Sequence, residues 1–117
     1  MAKIVKMIPR GRITNVEPNG SVPAPAEWKA RKAYIGREGG VYIMDSGEKA
    51  PGKHFLLMLD WPNAMRTSSG DLYESNGRLR LITRHTIYEI TTLDGVLTDA
   101  KIRGMLAELD RFGDHAL

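Results

Sequence analysis

The stretch Leu72-Tyr73-Glu74-Ser75-Asn76-Gly77-Arg78-Leu79-Arg80-Leu81-Ile82-Thr83-Arg84-His85-Thr86-Ile87-Tyr88-Glu89-Ile90 decides the fold. Asn76-Gly77 supplies the two positive-φ residues that a type I′ hairpin turn requires, and β-branched and apolar residues alternate with polar ones on both sides of it. Arg84-His85 then separates two runs of strand character, so a second tight turn falls there and three strands form a meander. Side chains point to opposite faces with a period of two, which puts Arg78, Arg80, Ile82 and Arg84 on one face and Leu79, Leu81 and Thr83 on the other. One face of the meander is basic and the other apolar.

Upstream, His54-Phe55-Leu56-Leu57-Met58-Leu59 is a continuous apolar run of strand length, as expected of a central strand buried on both faces. Asp60-Trp61-Pro62-Asn63 ends it, and Ala64 to Ser68 is expected to re-enter the sheet before Gly70. Ala33-Tyr34-Ile35 and Val41-Tyr42-Ile43-Met44, on either side of a glycine-containing loop, read as a further hairpin, with no helix expected there. At the N-terminus Ile4-Val5 opens a strand expected to stop before Pro9, whose ring removes a ladder donor, and Arg12 to Val16 reads as a second short strand. Residues 18–27 contain Pro18, Pro23 and Pro25 and read as an extended exposed loop, with Trp28 beyond it as core or lid.

The period changes near the C-terminus. Ile102, Met105, Leu106 and Leu109 fall at i, i+3, i+4 and i+7, which predicts a helix over residues 99–112 with Thr98 as N-cap and Gly113 at the C-terminal cap. Gly104 costs that helix about 1 kcal/mol relative to alanine and reads as tolerated. The resulting expectation is an α+β single domain over residues 1–117: a strongly bent antiparallel sheet or small β-barrel of about six strands, closed by the C-terminal helix.

Composition limits the chemistry. The 117 residues contain no cysteine, which removes thiol catalysis, disulfides and thiolate metal sites. No run approaches the roughly 18 apolar residues of a membrane span, and Lys3, Lys6 and Arg10 interrupt any signal-peptide core, so a cytoplasmic protein without membrane contact is expected. His54, His85 and His115 lack the close spacing of a chelating pair, so no metal and no cofactor are expected. The carboxylates sit mostly beside turn residues, where local hydrogen bonding accounts for them, and Asp60 before Trp61 is the single candidate for a raised pKa. Phosphate-loop, dinucleotide-binding and nucleophile-elbow sequences do not occur, and no catalytic residue is assigned.

Charge is uneven. Residues 1–86 carry a net +6 and residues 87–117 a net −3, within an overall +3. A basic body attracts phosphate-bearing partners, while the same cations on strand edges also protect against aggregation. Arg66, Thr67, Ser68, Arg78, Arg80, Thr83, Arg84, His85, Thr86 and Tyr88 combine guanidinium groups, hydroxyls and an aromatic. That mixture suits phosphate and base, through bidentate arginine contacts, short hydroxyl hydrogen bonds and stacking on Tyr88 or Trp28. A solvated sheet face accounts for the same residues without a ligand.

Met65-Arg66-Thr67-Ser68-Ser69, followed by Leu79-Arg80-Leu81-Ile82-Thr83-Arg84-His85-Thr86-Ile87-Tyr88-Glu89-Ile90, resembles a pattern of small phage and prophage proteins, the first family of Thoeris anti-defence proteins. The resemblance implies a small β domain with C-terminal helices that sequesters a cyclic nucleotide signal as a homo-oligomer, without cleaving it, to counter host defence. It implies basic helix residues at Lys101 or Arg103, and it places His85 where an asparagine is expected. The leading expectation is therefore a non-enzymatic protein that binds an anionic nucleotide. The alternatives are a basic small-barrel DNA- or RNA-binding module and a protein-binding inhibitor using a sheet edge or the proline-rich loop.

Overall fold

A computed structural model of the chain describes residues 3–21 and 23–112. Seven strands, β1 (Lys3–Pro18), β2 (Glu38–Asp45), β3 (His54–Asp60), β4 (Asn63–Arg66), β5 (Gly70–Ser75), β6 (Arg78–Thr83) and β7 (Thr86–Asp94), form one antiparallel sheet. Among the described residues two α-helices accompany them, α1 (Pro25–Lys32) and α2 (Asp99–Phe112), with a single 3-10 turn at Gly47–Lys49. Apart from the short β4, the strands follow one another around a ring, and β7 returns to pair with β1. The product is an up-and-down barrel, partly closed, because β3 meets β5 through one register pair, His54 with Gly70. The fold is α+β with a C-terminal helix, as expected, with seven strands rather than six.

The meander expected from Leu72 to Ile90 is present in register. Glu74 faces Leu79, Tyr73 faces Arg80 and Leu81 faces Tyr88, and Asn76 and Gly77 take φ values of 49° and 74° at the turn. The tight turn at Arg84-His85 is fastened by Thr83, whose hydroxyl donates to the Thr86 carbonyl at 2.7 Å and accepts the Thr86 N–H at 3.0 Å. His85 does not need a positive φ there; Asn76 is the one described non-glycine residue that has one.

Two apolar clusters explain the sequence of β2 and β3. Val41, Ile43, Leu56 and Met58 point into the barrel with Ile8, Ile13, Val16, Met65, Leu79, Leu81, Tyr88 and Ile90. Tyr42, Met44, Phe55, Leu57 and Leu59 point the other way and lie under Met105 and Leu109 of α2. Both faces of β3 are therefore buried, as the unbroken apolar run requires. The buried Tyr42 hydroxyl donates to the Met105 carbonyl at 2.6 Å and ties the helix to the sheet. Burial, with Glu108 nearby, pushes the Tyr42 phenol well above its ordinary pKa. Thr98 caps α2 by accepting the Lys101 N–H at 3.2 Å. Leu106 departs from the expected apolar stripe and remains 40% exposed, Gly104 borders open space, and Gly113 and His115 lie outside the described residues.

The N-terminal third differs from its sequence reading in two places. One 16-residue strand, β1, replaces two short ones. Its pairing with β2 shifts register between Ile8 and Gly11, so Pro9 occupies an irregular stretch where its missing N–H leaves no ladder bond unmade. The second correction is α1, which starts inside the stretch expected to be an extended loop; residues 33–35, expected to be a strand, form the turn that follows the helix, and β2 begins only at Glu38. Pro25 stands in its first turn with φ preset for a helix. Glu27 pairs with Arg31 one turn on, and Lys29, Arg31 and Lys32 fill the last turn. Trp28 and Tyr34 pack against the barrel cluster, while Arg31 donates to the Thr86 hydroxyl at 2.7 Å. Trp28 is thus a half-buried lid over one end of the barrel. Lys6 on β1 and Glu74 on β5, strands that are not neighbours in the ring, form an ion pair at 2.8 Å.

Candidate functional site

The outer face of β5, β6 and β7 carries the arrangement best suited to a ligand. Because β6 alternates without a register shift, Leu79, Leu81 and Thr83 are buried inside while Arg78 and Arg80 stand outside. The two-residue turn fixes what lies beside them. Tyr73, Arg80 and Glu89 form one cross-strand row, and Ser75, Arg78 and Thr91 form the next. Tyr73, Ser75, Asn76, Arg78, Arg80 and Glu89 line a groove of about 580 Å³, within the range of small-ligand sites. Tyr73 is 57% exposed, so its ring is an open platform beside two guanidinium groups.

These arginines are unspent, a state that among the described residues they share with Arg84 and Arg103. Arg10 and Arg12 are held by Glu38, whose carboxyl they keep below the usual carboxylate range, Arg12 foremost. Arg31 is held by Glu27 and Thr86, and Arg37, Arg66 and Arg111 lie over the rings of Tyr34, Phe55 and Trp61 at 5.1, 4.6 and 4.3 Å. Among the described residues Arg78 and Arg80 make no ion pair, side-chain hydrogen bond or ring contact, although Glu89 is the register partner of Arg80.

A second groove of about 450 Å³ lies at the other end of β6, lined by Asn19, Ala50, Lys53, Ser69, Gly70, Asp71, Ile82, Thr83 and Arg84. Lys53 is paired with Asp71 at 2.6 Å, which among the described residues leaves Arg84 as the unpaired cation of that groove. Asn19 steadies the adjoining turn by donating from its side chain to the Thr83 carbonyl at 2.8 Å and from its backbone to the His85 carbonyl at 2.9 Å.

The structure thus brings together only part of the set read from the sequence. Arg78 and Arg80 share one groove, and Thr83 and Arg84 border the other. The hydroxyls of Thr67, Thr83 and Thr86 are buried and committed: Thr67 accepts the Leu56 N–H at 2.9 Å, and Thr83 and Thr86 hold the turn and α1. Tyr88 is 8% exposed inside the barrel, where burial pushes its phenol above the ordinary value, so it presents no ring for a base to stack on. Ser68 and His85 are exposed but line neither groove. Arg66 lies over Phe55 on the side covered by α2, and Arg103 stands exposed on α2 itself; neither joins the β6 face. Tyr73 is the residue that reading by composition missed. Its signal was present, since a two-residue turn at 76–77 sets residue 73 opposite residue 80.

Among the described residues no group of three or more His, Asp or Glu side chains is gathered for a metal ion, and no helix is long and apolar enough to cross a membrane. Comparison with protein-family models, curated proteins and solved structures gives no significant match.

Proposed function

We propose that this protein is a non-enzymatic binding domain for a nucleotide-type anion, held on the outer face of β5, β6 and β7. In this reading the Tyr73 ring stacks on a base, and Arg78 and Arg80 receive phosphate oxygens in bidentate contacts. The observation that carries it is the exposed aromatic directly opposite one unpaired arginine and diagonal to another, in a groove large enough for a nucleotide. Such a ligand is retained rather than transformed. Sequestration of a small cyclic nucleotide by a homo-oligomer, as an anti-defence protein does, is one form of this proposal and the one the family resemblance implies; a longer nucleic acid is the other.

Titration calorimetry with mononucleotides, cyclic nucleotides and short oligonucleotides tests the reading. Tyr73→Ala is expected to weaken binding by about 1–3 kcal/mol, the range for base–aromatic stacking. Arg80→Ala is expected to weaken it by about 1.5–3 kcal/mol, as for a hydrogen bond to a charged group. Unchanged isotherms in both folded variants, or no binding of any probe by the native protein, refute it.

A further inference from the structure

Resting on that nucleotide-binding reading, we infer that the ligand is a single nucleic-acid strand laid lengthwise along β6, in contact with both grooves. Arg78, Arg80 and Ile82 are successive outward positions of one unbroken strand, and Arg84 follows at its end. The groove holding Arg78 and Arg80 begins at the Asn76 turn, and the groove holding Ile82 and Arg84 reaches the opposite turn. The two lie end to end rather than around a common centre. At about 3.4 Å per residue, the track from Arg78 to Arg84 is about 20 Å long. At about 3.4 Å per nucleotide that is about six stacked nucleotides, inside the range of about 4–16 found for small single-strand-binding barrels.

Charge along the track agrees. Among the described residues Arg78, Arg80 and Arg84 have no partner, Asp71 is neutralised by Lys53, and Glu89 is the one free carboxylate of those that line the grooves. Both grooves open outward, so a strand can enter and leave at either end, whereas a mononucleotide reaches either the Arg78 and Arg80 pair or Arg84 but not both. Tyr73 offers a platform to any base in the first groove, and Ile82, half-buried in the second, offers apolar surface further along.

Fluorescence anisotropy at low salt, with end-labelled oligothymidylates and oligouridylates of one to ten nucleotides, tests the inference. Affinity is expected to rise at least about 100-fold between two and six nucleotides, as two linked subsites become occupied together, and then to level off. Arg84→Ala, at an exposed side chain without a partner, is expected to weaken six-nucleotide binding about 10-fold and leave two-nucleotide binding unchanged. It should also reduce the slope of log affinity against log salt by about 0.7, from about −2 for three phosphate contacts. Stronger binding by the deoxy or the ribo series supports the inference and assigns the sugar. Length-independent binding, or a cyclic nucleotide bound as tightly as the six-nucleotide strand, overturns it and leaves the nucleotide reading standing. Binding of no probe at all overturns both.

Discussion

Leu56 and Leu57 are consecutive residues of β3, 0% and 1% exposed, and their side chains enter different cores. Truncating each to alanine tests the two-sided burial of this strand. Each change removes three carbons, worth about 0.8 kcal/mol apiece in transfer free energy, and leaves a void whose cost adds to that sum. The expected loss is about 3 kcal/mol for either variant. Unfolding entropy of about 2.1 cal/mol/K per residue, over this chain length, makes that a fall in Tm of about 12 °C. Equilibrium urea unfolding gives the free-energy loss and a thermal scan the Tm, both followed by far-UV circular dichroism against Leu93→Ala, a control at a 42% exposed position expected to stay within about 0.5 kcal/mol of native. Comparable losses at the two positions confirm a strand between two cores. A loss below about 1 kcal/mol for Leu57→Ala, beside a full loss for Leu56→Ala, refutes the placement of α2 over β3.

Tyr42→Phe removes the hydroxyl that α2 receives at Met105 and is expected to cost about 1 kcal/mol at neutral pH, measured by the same urea titration. Alkali should destabilise the native protein. Burial raises the folded-state pKa of both Tyr42 and Tyr88, so each contribution is fully present below about pH 10, the unfolded value, and is lost as pH rises from there through the folded one. Tyr42 alone should lower stability by up to about 1.4 kcal/mol per pH unit above pH 10, with Tyr88 adding in the same direction, and Tyr42→Phe should make the slope shallower; a flat profile to pH 11 contradicts the burial argument. Gly70→Ala would set a methyl carbon 2.2 Å from the Ile82 carbonyl oxygen, so β5 and β6 must separate where β3 meets β5. A loss of at least about 1 kcal/mol is expected in thermal unfolding.

Local chemistry made the C-terminal two thirds of the fold legible. The Asn76-Gly77 turn, the strict alternation of β6 and the helical spacing of Met105 and Leu109 each specify one geometry, and the structure adopts all three. The unbroken apolar run of β3 was readable for a different reason, since only burial on both faces accounts for it. The N-terminal errors share a cause. Pro9 and Pro25 were read as breakers, whereas a bulge and a helix first turn are the two settings that dispense with a proline N–H. The candidate site divides along the same line. Which arginines stand outside β6 follows from alternation, but that Arg10, Arg12, Arg37 and Arg111 are already occupied depends on Glu38, Tyr34 and Trp61, contacts between side chains that spacing alone does not encode. Hydroxyls and an aromatic picked by type alone, at Thr67, Thr83, Thr86 and Tyr88, turned out to be structural parts of the barrel.

The return of β7 to β1 has a kinetic consequence. Every other ladder in the sheet joins strands adjacent along the chain, apart from the single β3–β5 pair across β4, whereas Ile13 meets Ile90 across most of the sequence. Hairpins from β2 to β7 can form from nearby residues with little loop-closure entropy, while the β1–β7 seam, whose nearest pair is Pro18 with Thr86, must close the whole stretch between them before its hydrogen bonds repay it. The ring is therefore expected to close late in folding. Until it does, the edge of β7 stays unpaired, and an open seam of this kind is where two chains can exchange their first strands.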